Sequence, residues 1–199
     1  MAVAELFYPT YEVQLYPLPT AEHPSDTVIR KDDEMLPVVD ENGLVFGMAR
    51  RSYVHSGSKL LHPVVHIHIL NHMGDFYLQK RAAGKDSYPG YWDSSVGGHV
   101  GFGESVAEAI LREAQEELRL SRINPVDLGT YVWEDDSARE LVYVFGLIYD
   151  ALPQPNPEEV SEGRFWSPDE IVSNIGKGIF TPDLENEFLS YRKKLEALI

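Results

Sequence analysis

Five glutamates fall within fourteen positions of the stretch GGHVGFGESVAEAILREAQEELRL, residues 97–120: Glu104, Glu108, Glu113, Glu116 and Glu117. On a helix, positions three and four apart share a face, so Glu113, Glu116 and Glu117 should project together. Glu104 stands at the helix start, where the dipole favours an anion. Carboxylates packed this closely repel one another. A hard divalent cation relieves that repulsion: Mg²⁺, or Mn²⁺ as the alternative, takes oxygen ligands and bridges to substrate phosphates. A solvated acidic face is the competing reading of a Glu-rich helix taken alone. Two features weigh against it. Gly97, Gly98, Gly101 and Gly103 precede the helix and let the backbone turn sharply and approach a ligand closely. Arg112 is placed to pair with Glu108 or Glu116.

These residues need elements to hold them. Residues 104–118 have helical period, with Ala107, Ile110, Leu111, Ala114 and Leu118 as the buried stripe. MLPVVDENGLVFGMARR is a hairpin turning on Asn42-Gly43. VVHIHILNHMGDFYLQKR repeats the theme, with its turn at Asn71–Gly74. LGTYVWE and ELVYVFGLIYDAL are two more strands. RFWSPDEIVSNI runs from strand into helix, with Ser167 as N-cap and Pro168 at the first helical position. A last helix spans residues 182–198. Strands and helices mix without βαβ regularity, so we expect an α+β fold: a mixed sheet with helices on both faces. Residues 1–33, broken by Pro9, Pro17, Pro19 and Pro24, are expected to be an extension that packs on the main domain or on a partner subunit, with a homodimer as one expected assembly. The main domain is then 34–199.

Composition narrows the partners. The chain of 199 residues carries a net charge of −15, which repels nucleic acid polymers and, without metal ions, phosphorylated substrates too. No apolar run of membrane-spanning length occurs, so no membrane is expected. Cysteine is absent, which leaves no thiolate site and no thiol nucleophile, and a cytoplasmic location is expected.

Gly98, Glu104, Arg112, Glu113, Glu116, Glu117 and Leu120 stand at the spacing of the Nudix box, Gly-x5-Glu-x7-Arg-Glu-U-x-Glu-Glu-x-Gly-U. Ala114 is a small U residue, and Arg119 replaces the second glycine. That glycine ends the helix in a left-handed conformation, where another residue costs about 1 kcal/mol. The segments PGYWDSSVGGH and EGRFWSPDEI also resemble those flanking the box. The resemblance spans roughly residues 34–199. It implies a Nudix-type α/β/α sandwich. It also implies a Mg²⁺-dependent hydrolase that cleaves a small-molecule diphosphate, such as a nucleoside diphosphate derivative, by water attack. By position, Glu116 and Glu117 would bind metal, Glu113 would be a further ligand or the base, Glu104 would support the same cluster, and Arg112 would orient the glutamates. Lys80 and Arg81, with the backbone at Gly97 and Gly98, are candidates to meet the substrate, though both cations read equally well as solvated charges. Glu159 or Glu162 could add a ligand. Tyr88, Tyr91, Trp92 and Trp133 could stack on a base or sit in the core.

A second resemblance is to type 1 isopentenyl diphosphate isomerase, a Nudix-fold enzyme. His55, His62, His99 and Glu140 fall where that enzyme holds a further metal, and Ala138 replaces its other glutamate. Its cysteine is replaced by Gly97, so the isomerase reading lacks an acid on one face. A Nudix module that senses a nucleotide without cleaving it is the remaining alternative.

Overall fold

The computed structural model describes residues 34–199 except Asp86. The N-terminal extension, and any dimer contact through it, lies outside the described residues. The hairpin at Asn42-Gly43 forms as read: β1 (Met35–Val39) pairs antiparallel with β2 (Val45–Arg50), and Gly43 turns the chain at φ +80°. A one-turn helix, α1 (Arg51–Val54), follows.

The main sheet is built on β3 (Leu61–Leu70), every residue of which is buried. Its end, Ile69 and Leu70, pairs antiparallel with β4 (Phe76–Arg81), through the turn at Asn71–Gly74, and Val64 to Ile67 pair antiparallel with β6 (Val96–His99). On its other edge it runs parallel to β8 (Arg139–Ile148), which pairs antiparallel with β7 (Val126–Glu134). β4 also carries β5 (Trp92–Asp93) and β9 (Val160–Trp166). One parallel pair among antiparallel ones makes the sheet mixed.

Burial on both faces explains why β3 reads as a nearly continuous apolar run. Val65, Ile67 and Ile69 pack with Ala109, Ile110, Ala114 and Leu118 of α2 (Val106–Leu118). Val64 and Leu70 pack with Ile171 of α3 (Pro168–Asn174) and with Leu184, Phe188 and Leu195 of α4 (Pro182–Glu196). The result is the expected α/β/α sandwich. Ser167 caps α3 with Pro168 in its first turn, and Ser105 caps α2 in a capping box with Glu108. Glu108 is thereby taken from Arg112.

The apolar stripe of α2 differs from the sequence reading. Leu111 is 45% exposed, Ala107 is exposed as well, and Glu117 is buried in their stead. At 100° per residue the buried face is turned by roughly a seventh of a turn from the expected stripe. Gly98 beneath it leaves room for Glu113. Arg119 closes α2 at φ 57° and ψ 29°, with Leu120 N–H donating back to Ala114 O. The left-handed cap survives without glycine. Arg119→Gly should therefore raise the unfolding free energy by about 1 kcal/mol, read by denaturant titration with unchanged m-value.

Candidate active site

Glu113 reaches the sheet because Gly98 has no side chain. A Cβ on Gly98 would stand 2.1 Å from the Glu113 carboxyl carbon. Glu117 Oε2 accepts from Gly97 N–H at 3.1 Å and from Gln79 Nε2 at 2.9 Å. Gly98→Ala must push Glu113 aside. We expect at least a tenfold loss of activity with the circular dichroism spectrum unchanged, checked by steady-state assay.

Arg112 collects the other carboxylates. Its Nε and Nη2 donate to Glu104 at 2.8 and 2.9 Å, and Nη1 donates to Glu113 at 2.7 Å and to Glu116 at 3.3 Å. Nη2 also donates to the His99 carbonyl at 2.8 Å, which ties the helix to β6. The expected orienting role of Arg112 has this geometry behind it. The expectation that Glu113, Glu116 and Glu117 converge needs correction. Glu117 lies in the buried face of α2 while the Glu116 side chain is 55% exposed. Arg112 draws Glu113 and Glu116 one way, and Gln79 and Gly97 draw Glu117 the other. Like charges in a poorly solvated site separate, each towards its own donor.

Burial pushes the Glu113 carboxyl up to about 7 against the pull of Arg112. Burial, with Glu113 nearby, does the same for Glu117. These are carboxylates whose surroundings do not supply enough positive charge for them.

The flanking candidates divide. Arg81 stands near Glu117, with Nη1 donating to Asp93 at 2.6 Å and Nε and Nη2 donating to Ser87 at 2.9 and 3.0 Å. Lys80 does not join it, being 3.8 Å from Glu162. Glu159 pairs with Lys85 at 2.7 Å. Lys85, which the sequence reading passed over, is near enough to lower the Glu117 pKa. Trp92 is core, whereas Ser87, Tyr88, Trp133, Asp135 and Pro182 line an open cleft of about 470 Å³.

A second group of ligand-bearing side chains stands beside the first. Parallel pairing sets His62 opposite Glu140, and β6 brings in His99 while the end of α1 brings in His55. One ligand atom from each of His55, His62, His99 and Glu140 lies within 4.8 Å of the others, and no other such group of three or more occurs among the described residues. His55 Nε2 and His99 Nε2 are 2.8 Å apart. The test of fit is the His62 ring. Its Nε2 is buried without a hydrogen-bond partner, 3.7 Å from Glu140. Burial lowers His62 to about 4 and holds His99 well below the usual range, so both offer lone pairs. Three imidazoles and a carboxylate suit a borderline divalent ion such as Zn²⁺. Ala138 offers no ligand. Burial raises Glu140 to about 7. A carboxyl raised in the fold gives stability that is full below its ordinary pKa and lost as pH climbs through 7. Divalent cations bind the deprotonated form, so they should raise Tm more at pH 8 than at pH 5.5, checked by calorimetry with and without chelator.

Site and fold together are an α/β/α sandwich that sets a carboxylate-bearing helix against a glycine pair, with a His and Glu cluster beside it. The NUDIX domain model matches residues 60–184. An uncharacterized Nudix hydrolase of Streptomyces coelicolor is 34% identical over 160 residues, 79% of this chain and 88% of its own. An isopentenyl-diphosphate Delta-isomerase of Streptomyces griseus is 33% identical over 153 residues, 74% of this chain and 78% of its own. A crystal structure of a Deinococcus radiodurans protein superposes with a TM-score of 0.69 at 27% identity, covering 81% of this chain and 99% of that one. The chain belongs to the Nudix family, with relatives among both its hydrolases and its isomerase-like members. The family and fold support pyrophosphate hydrolysis in general, on small-molecule diphosphates and with divalent metals. Among the described residues no helix is long and apolar enough to cross a membrane.

Proposed function

We propose that this protein is a Mg²⁺-dependent pyrophosphohydrolase acting on a nucleoside diphosphate derivative or a related diphosphate. The observation that carries it is the pair of carboxylates, Glu113 half-buried and Glu117 buried, set against Gly97-Gly98. A bound Mg²⁺ would neutralise phosphate charge and lower the pKa of an attacking water. The chain's own residues supply the rest. Glu117, with Glu113 and Glu116, offers the oxygen ligands. Arg112 fixes Glu113 and Glu104 so that neither rotates away. Glu113, held by Arg112, is the alternative base, which would take a proton from water where it does not ligate the metal. Arg81 and Lys85 bring positive charge to an otherwise acidic site. The cleft at Tyr88 and Trp133 has room for the group attached to the diphosphate.

The test is a panel of nucleoside diphosphate derivatives assayed with Mg²⁺. Phosphate or nucleotide release that stops on chelation is expected. No release from any compound overturns the reading.

The His55, His62, His99 and Glu140 cluster, with the name of the Streptomyces griseus relative, favours one second reading, a diphosphate isomerase. Gly97 stands against it, since it leaves no thiol to move a proton. Proton NMR of isopentenyl diphosphate incubated with the protein should show no dimethylallyl isomer.

A further inference from the structure

Across the sheet from α2 lies a charged network that the hydrolytic scheme does not use. Glu187 of α4 is fully buried. Its carboxylate meets His66 Nδ1 at 2.8 Å and His68 Nε2 at 2.6 Å, and it accepts from the Tyr131 hydroxyl at 2.7 Å. These bonds satisfy Glu187. They leave one nitrogen over. His66 is 8% exposed, and no described residue takes its Nε2.

That nitrogen points at a particular place. His66 is the register partner of Gly97. A Cβ on Gly97 would stand 3.5 Å from His66 Nε2 and 3.5 Å from Ser94 Oγ. The Gly97 N–H is the one that binds Glu117. So Gly97 holds Glu117 through its backbone N–H, and its missing side chain leaves space beside His66 Nε2. A side chain at position 97 would cover the ring.

We propose that His66, anchored through Nδ1 on Glu187, donates Nε2–H to an oxygen of the diphosphate bound beside Gly97, and that Glu187 is its positioning residue. This rests on the proposed function. The charges facing His66 are Glu187 and Asp183 on α4, Asp93 on β5 and Glu140 on β8, with His68 and Tyr131 sharing Glu187. Burial works against a charged ring, but Glu187 outweighs it and raises His66 to about 10. An imidazolium fixed by a buried carboxylate is a donor that cannot collapse into neutral form on meeting a phosphate.

The experiment uses methylenediphosphonate, whose P–C–P bridge resists hydrolysis, with Mg²⁺ and the full chain. In wild type labelled with ¹⁵N-histidine, His66 is recognised as the ring that stays doubly protonated at pH 8. Its Nε2 resonance should shift on adding the probe. By calorimetry, His66→Gln should bind about 10- to 100-fold more weakly, the loss expected of a hydrogen bond to a charged group. Glu187→Gln, which keeps the size and removes the charge, should also weaken binding. A wild type that binds the probe with no movement of the His66 signal overturns the inference, whatever the variants do. A wild type that neither binds the probe nor cleaves any diphosphate removes the proposed function and this inference together.

Discussion

Glu117→Gln should lower kcat more than about 100-fold while leaving the protein at least as stable as wild type at pH 8. Loss of an outer partner to a metal ligand costs about 10- to 100-fold, and an anionic ligand itself should cost more. The stability half follows from the sign of the shift. Glu117 is raised to about 7 from an ordinary 4.5, chiefly by burial. Its folding contribution is therefore full below 4.5 and lost as pH rises through 7. At pH 8 the charged form opposes folding, and a neutral amide of the same shape removes that opposition. Gln79 and the Gly97 N–H still find an oxygen acceptor in the new side chain. A variant that is inactive yet no less stable is what a strained functional group predicts. Equal activity, measured against the same substrate, would remove Glu117 from the chemistry.

Glu187→Ala should be the most destabilising single change among those considered. Removing one partner of a buried ion pair costs about 3–5 kcal/mol, because the other charge stays buried and unpaired. Here three partners are stranded: His66, His68 and Tyr131. For a chain of this size the loss corresponds to a Tm fall of roughly 6–20 °C. The pH dependence has two signs. His66 is raised from 6.5 to about 10, so its contribution is full below 6.5 and lost as pH rises through 10. Burial would raise Glu187, but His66 and His68 hold it far below its ordinary 4.5, so its contribution is full above 4.5 and lost in strong acid. The gap in Tm between wild type and variant should be widest between pH 4.5 and 6.5 and shrink towards pH 10. Calorimetry at three pH values checks both the size and the trend. A gap that widens above pH 8 would contradict the pairing.

Local chemistry was legible in the sequence. Asn42-Gly43 meant a tight turn because few other pairs tolerate that backbone. Ser167-Pro168 meant a helix start because the hydroxyl accepts an orphan N–H and proline lacks one. Arg119 could be placed in a left-handed cap because the rest of the box surrounds it. Spacing alone also marked the box glutamates and Arg112. What spacing could not show was rotation. α2 turns Glu113 inward because Gly98 lies beneath it, and that is a tertiary fact. For the same reason Leu111 looked buried and is not. Lys80 and Arg81 are neighbours with one composition, yet only Arg81 meets Asp93. His66 and Glu187 are 121 positions apart, and neither spacing nor composition links them. The resemblance to the isomerase did bring His55, His62, His99 and Glu140 together on paper, and the parallel register of β3 with β8 brings them together in the fold.

The account as a whole depends on α2 gripping a cation against a diphosphate. Crystals soaked in Mn²⁺ with methylenediphosphonate, measured for anomalous scattering, test that directly. The expected map has a peak at ligand distance from Glu117 and from a probe oxygen beside Gly97. A map with ions only at His55, His62, His99 and Glu140, and none against α2, would contradict it.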